Sequence, residues 1–165
     1  VSLERVVTDG ALLSLALGLL IFGSLIYNPR LWLQDYPPEI RRQVPPQTKQ
    51  EKRLQGVLSV PFFLLMLGIP YISGLQLKAA NAGTLPFLIA YLHIFLVLNV
   101  ANLFDAVVID ALVLTIMKPK FAVLPGTEGL DYGQYLKWGL QVKNYFKGII
   151  FCAIASLPIA AVAML

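Results

Sequence analysis

An all-α, polytopic transmembrane bundle of four spans is the fold class this sequence predicts, and three observations predict it. First, uncharged apolar stretches cover roughly residues 10–27, 54–77, 85–117 and 148–165. A run of about 18 or more such residues can cross the hydrocarbon core as a helix. Second, the stretches carry no polar stripe at the helical period, so each is apolar all round. Third, eleven of the thirteen Lys and Arg residues fall in two segments, 28–53 and 118–147, leaving only Arg5 and Lys78 elsewhere. With 58% hydrophobic and 13% charged residues, the 165-residue chain is too apolar for an ordinary soluble domain. It reads as a single integral membrane domain, 1–165. A soluble all-α core protein is the rival that these patterns disfavour.

The elements follow in order. Thr8 or Asp9 is expected to cap the first span, and Asn28-Pro29-Arg30 to end it, because proline disfavours a helical residue before it. Leu31-Trp32-Leu33 and Tyr36 suit a membrane–water interface. Pro37, Pro38, Pro45 and Pro46 among charges predict an extended loop on the surface. The second span contains Pro61 and Pro70, which remove backbone donors and should kink it. Residues 78–85 form a short hairpin, and Pro86 fits the first turn of the third span. That span is helical in pattern to Met117, about 48 Å at 1.5 Å per residue, longer than a core of about 30 Å. It must tilt, break or project. In 134–147, Tyr135, Trp138, Gly139, Val142, Tyr145 and Phe146 share an arc of about 120° opposite Lys137, Asn144 and Lys147. This predicts an amphipathic interfacial helix before span four, lying flat or running into it. Asn28-Pro29-Arg30 and Lys118-Pro119-Lys120, with Gly56 and Gly148 at matching distances beyond them, suggest a faint repeat of two hairpins.

Lys and Arg accumulate in cytoplasmic loops, which predicts that 28–53 and 118–147 are cytoplasmic and both termini outside, in a bacterial-type inner or plasma membrane. The charge of +4 is an orientation signal beside anionic headgroups, not a nucleic-acid footprint. The lone Cys152 excludes an intrachain disulfide. The segment after Val1 does not read as a signal peptide, so the first apolar stretch is expected to be a retained span.

Chemistry concentrates in span three. With Asn99 at 0° on an α-helical wheel, Asp110 falls near about 20°, Asn102 near about 300° and Asp105 near about 240°, a face of about 140°. Ionisable groups at membrane depth are costly and tend to face the bundle interior. Asp105 and Asp110, with Asn99 and Asn102 as neutral partners, are candidates for a proton or cation site. Equally, both Asp residues could sit at headgroup level against Lys118, Lys120 or Arg53, with the Asn residues bonding across helices. His93, about 120° off that face, could ligate haem or chlorophyll metal, though no second axial ligand stands at a suitable position. No other cofactor and no metal are expected. Met66, Met117 and Met164 read as packing. Pro125-Gly126-Thr127-Glu128-Gly129 with Asp131-Tyr132-Gly133 is an ordered turn, lacking the Lys-Ser/Thr of a phosphate loop. Catalytic signatures are missing, so an enzyme is the less expected outcome.

Two functions follow as expectations. One is an accessory, stabilising or assembly subunit of a larger membrane complex, or a homo-oligomer in the bilayer. It would pack through Gly18, Gly23, Ala153, Ala155, Ala160, Ala161 and Ala163. The alternative is a transporter or membrane-embedded enzyme working through the Asp/Asn face.

Overall fold

A computed structural model describes residues 1–132 and 138–165, the side chain of residue 115 excepted. Among these residues there is no strand, and four helices are long and apolar enough to cross a membrane. They are α1 (Leu3–Tyr27), α3 (Lys49–Ala80), α4 (Phe87–Phe104) with its π-helical continuation Asp105–Met117, and α5 (Trp138–Met164). A short α2 (Pro38–Arg41) lies in the first connection. α4 packs most extensively against α5 and α1, while α3 closes the bundle and is the least buried of the four. The chain ends and the α3–α4 turn share one end of the bundle, here the terminal side. The two long connections share the other, the loop side.

Several boundaries differ from those expected. Ser2, not Thr8 or Asp9, accepts the first amide hydrogen bond of α1, so Asp9 lies inside the helix. α3 begins at Lys49 because Thr48 and Glu51 form a reciprocal capping box. It continues through Pro61 and Pro70 as one helix. Pro86 is the N-cap of α4 rather than a first-turn residue. In the α3–α4 turn, Ala82 and Gly83 take positive φ.

The core fills the middle and terminal half with Leu13, Met66, Ile94, Val97, Leu98 and Ile159. Small residues let helices approach there. A Cβ on Gly10 would stand 2.5 Å from Val100 Cβ, and one on Gly74 would stand 3.1 Å from Ile94 Cδ1. At the terminal end the Lys78 ammonium donates to the Met164 carbonyl at 3.1 Å, a cation at the C-terminus of α5.

The loop side departs most from expectation. Instead of an extended surface loop, 28–48 folds into a 3-10 turn (Pro29–Asp35) and α2, and it buries Leu31, Leu33, Ile40 and Val44. Leu33, Ile40 and Val44 pack with Leu124 and Tyr132 of the second connection into a small second core. The prolines fix turns here because the apolar residues between them have a partner to bury against. Tyr36 Oη donates to the Ala122 carbonyl at 2.7 Å, tying the two connections together. Arg30 staples the base. Its guanidinium donates to both Glu51 oxygens, at 2.7 and 3.3 Å, and to the Pro45 and Pro46 carbonyls at 3.1 Å. The result is a cap over the loop-side end of the bundle.

Of the expected amphipathic helix, Gln134, Tyr135 and Lys137 lie outside the described residues, as does Gly133 of the preceding turn. From Trp138 onward the segment is the opening of α5 itself, with no break before the span.

A polar cavity beneath the loop cap

Between the core and the cap the bundle opens into a cavity of about 840 Å³. Its deep wall is apolar, from Leu13, Leu17, Phe62, Met66 and Leu98. Its upper wall is charged: Asp35 and Arg41 from the first connection, Asp105 and Asp110 from the π segment, then Lys118, Asp131 and Lys147. Asp35, Arg41, Lys118 and Lys147 are exposed, so the mouth opens to solvent on the loop side. Asp105 and Asp110 are half-buried further in.

The π segment explains how two carboxylates five residues apart line one space. In an α-helix they would diverge by about 140°. In a π-helix, whose hydrogen bonds run from i to i+5, residues at that spacing lie nearly above one another. The segment runs from Asp105 to Met117, far beyond a single-turn bulge. Its sequence contains Val107, Val108, Ile109, Val113 and Ile116, and β-branched side chains crowd an α turn. Lys118, at φ 47°, ends the segment before Pro119.

α5 presents its polar side inward. Gln141, Asn144 and Lys147 line the cavity, while Trp138, Val142 and Phe146 are exposed. A soluble amphipathic helix would be arranged the other way round. Asn102 joins the walls, its Nδ2 donating to the Tyr145 carbonyl at 3.3 Å. Gly148 makes this possible, since a Cβ there would collide with the Asn102 carboxamide.

The structure thus brings Asn102, Asp105 and Asp110 to one cavity. Asn99 is not among its lining residues, and its Nδ2 donates to the Phe95 carbonyl of its own helix at 2.9 Å. The 100° wheel grouped it with the others because it carried α geometry past residue 104. Asp35, Asp105 and Asp110 are near enough to interact electrostatically. Asp35 escaped the sequence reading because it sits in an aromatic stretch that signals only an interface. Among the described residues no three His, Cys, Asp or Glu side chains group closely enough to share a metal ion. In the cap, the Gly126 amide donates to both Glu128 oxygens, at 2.9 and 3.0 Å, and holds that carboxyl below its usual range. The Pro125–Gly129 turn therefore closes on its own carboxylate.

His93 lies far from this cavity, in the terminal half, and is fully buried. Its Nε2 is 2.8 Å from Ser73 Oγ, and Ser73 Oγ donates to Asp9 Oδ2 at 2.5 Å. Nε2 is thus engaged, and His93 does not line the capped cavity. Asp9 and Ser73 were missed as site residues because three separate helices supply the cluster. Comparison with protein-family models, curated proteins and solved structures returns no match.

Proposed function

We propose that this chain is an integral membrane protein, with its loop cap cytoplasmic and its termini outside, that binds a small solute in the capped cavity. There it handles a proton or cation through Asp105 and Asp110, as a transporter would. One observation carries the reading: two carboxylates of a membrane helix share a solvent-open space of about 840 Å³ with Lys118 and Lys147. Protein interiors are close-packed, and ionisable groups at membrane depth are costly. A chain needed only as a scaffold has no use for either. Orientation follows from the Lys and Arg of the two connections.

The accessory-subunit alternative loses part of its support. Of its small residues, Gly18, Ala160 and Ala163 are buried inside this chain's own bundle. Gly23 and Ala161 remain exposed, with Ala153 and Ala155 half-buried.

The test is proton movement in vesicles containing the purified protein, followed with an internal pH dye while organic amines, organic anions and monovalent cations are added in turn. The wild type should move protons with one solute class, and Asp105→Asn and Asp110→Asn should each abolish this while eluting and melting like the wild type. Proton fluxes unchanged in both variants would defeat the proposal. A silent wild type that co-purifies from native membranes in fixed ratio with other subunits would establish the accessory role instead.

A further inference from the structure

The terminal half holds a second polar centre that the cavity does not use. α1 supplies Asp9, α3 supplies Ser73 and α4 supplies His93, all linked by short hydrogen bonds. Ser73 has one hydroxyl proton. It is donated to the Asp9 carboxylate, so His93 must present Nε2–H to Ser73 Oγ. This fixes the neutral tautomer and leaves Nδ1 as a bare acceptor. Nδ1 is the one buried side-chain nitrogen or oxygen without a hydrogen-bond partner among the described residues. Such an orphan is costly, and native structures seldom keep one without a use.

We infer that Asp9, Ser73 and His93 form a proton wire in the terminal half of the bundle, with His93 Nδ1 as its inner acceptor and Asp9 as its outer end. A proton taken up at Nδ1 makes an imidazolium whose charge faces the Asp9 carboxylate across one hydroxyl. Transfer then moves the Nε2 proton to Ser73 Oγ and the Ser73 hydroxyl proton to Asp9 Oδ2. The products are a neutral Asp9 and a His93 protonated at Nδ1, and no other bond changes. Asp9 is half-buried, which gives the chain its contact with the terminal side.

The surrounding charges are few. On α1 there is Arg5, whose Nη1 donates to Gln76 Oε1 at 2.8 Å. On α3 the nearest is Lys78, held by the last carbonyls of α5. α5 carries no charged side chain beyond Lys147. On α4 the neighbouring titratable group is Tyr91. Asp9 is therefore the carboxylate positioned to balance a charged His93. The wire is independent of the solute reading of the cavity.

The chain contains a single histidine, so nitrogen NMR of tag-free, ¹⁵N-histidine-labelled protein in lipid nanodiscs reports this ring alone. The wild type at neutral to alkaline pH should show a protonated Nε2 and a bare Nδ1. Acidification should add a proton at Nδ1. Asp9→Asn, which preserves shape, should weaken that protonation by about tenfold, a midpoint displacement of about one pH unit. Ser73→Ala should erase the tautomer preference. The wild-type spectrum alone can overturn the inference, either through an Nδ1–H neutral ring or through a ring that stays neutral at every pH where helicity is retained. An Asp9→Asn titration superimposable on the wild type would overturn it too.

Discussion

Replacing Gly10 with alanine tests the α1–α4 crossing on which both polar sites depend. The added Cβ would lie 2.5 Å from Val100 Cβ, 2.7 Å from Cγ1 and 3.0 Å from Cγ2. The nearest of these atoms is fixed to the α4 backbone, so no rotamer change relieves the clash. Ordinary contact begins near 3.4 Å, and the helices would have to separate by about 0.9 Å where Leu13 and Val97 are wholly buried. Overpacking of this kind costs about 1–3 kcal/mol. The loss can be read from reversible unfolding in mixed micelles titrated with a denaturing detergent. The geometry also dictates which second change repairs it. Gly10→Ala with Val100→Ala should remain destabilised, because the two Cβ atoms still collide. Gly10→Ala with Val100→Gly should recover the part of the loss due to the clash. Gly23→Ala, inside the same helix with nothing within 4 Å of the new atom, is the control and should stabilise by up to about 1 kcal/mol. A Gly10→Ala protein as stable as the wild type, or one rescued fully by Val100→Ala, would refute the assigned crossing.

Two further outcomes concern the cap. Arg30→Ala leaves Glu51 without its ion-pair partner at side-chain exposures of only 13% and 14%, and it strips the Pro45 and Pro46 carbonyls of a donor. Charge-assisted bonds of this type contribute about 1.5–3 kcal/mol, so thermal unfolding should come about 4–10 °C earlier, with Arg30→Lys failing to restore the paired geometry. Burial, with Tyr132 beside it, pushes the Tyr36 phenol above the usual tyrosine range. The sign follows: the folded value is raised, so its contribution is intact below pH of about 10 and is lost as pH climbs through the folded value. Ultraviolet titration of phenolate should show Tyr36 ionising above the usual tyrosine range, together with loss of the cap. Tyr36→Phe should remove about 1 kcal/mol and that late phase.

The all-helical class and the four helices long and apolar enough to cross a membrane were legible because apolar length is a property of single segments. What stayed hidden depends on helix geometry or on pairing between distant segments. Asn99 was grouped with the carboxylates by an α wheel, and the change to π geometry after Phe104 has no signal stronger than a run of β-branched residues. The proline-rich connection read as extended because its charges are conspicuous. Its fold depends on Leu33, Ile40 and Val44 meeting Leu124 and Tyr132, which no local pattern reveals. Gly56 and Gly148, matched in the apparent repeat, do different work: the first is exposed with open space around it, the second seats Asn102. Ser73 was invisible as a site residue, since a lone serine in a span is commonplace.

The link between Asp9 and Ser73 joins residues 64 positions apart, and His93 comes 20 later still. On the proposed membrane reading, α1 enters the bilayer during synthesis while its carboxylate has no partner. An aspartate at a span's centre opposes insertion by about 2.5–3.5 kcal/mol, and Asp9 limits that cost by lying within two turns of the helix start. The apolar run behind it carries the segment in, but α1 is held only provisionally until α3 and α4 arrive. α5 comes last and seats on α4 and α3 without needing α1. A chain stopped after α3 would display Gly10 and the Asp9–Ser73 pair on an unfilled face.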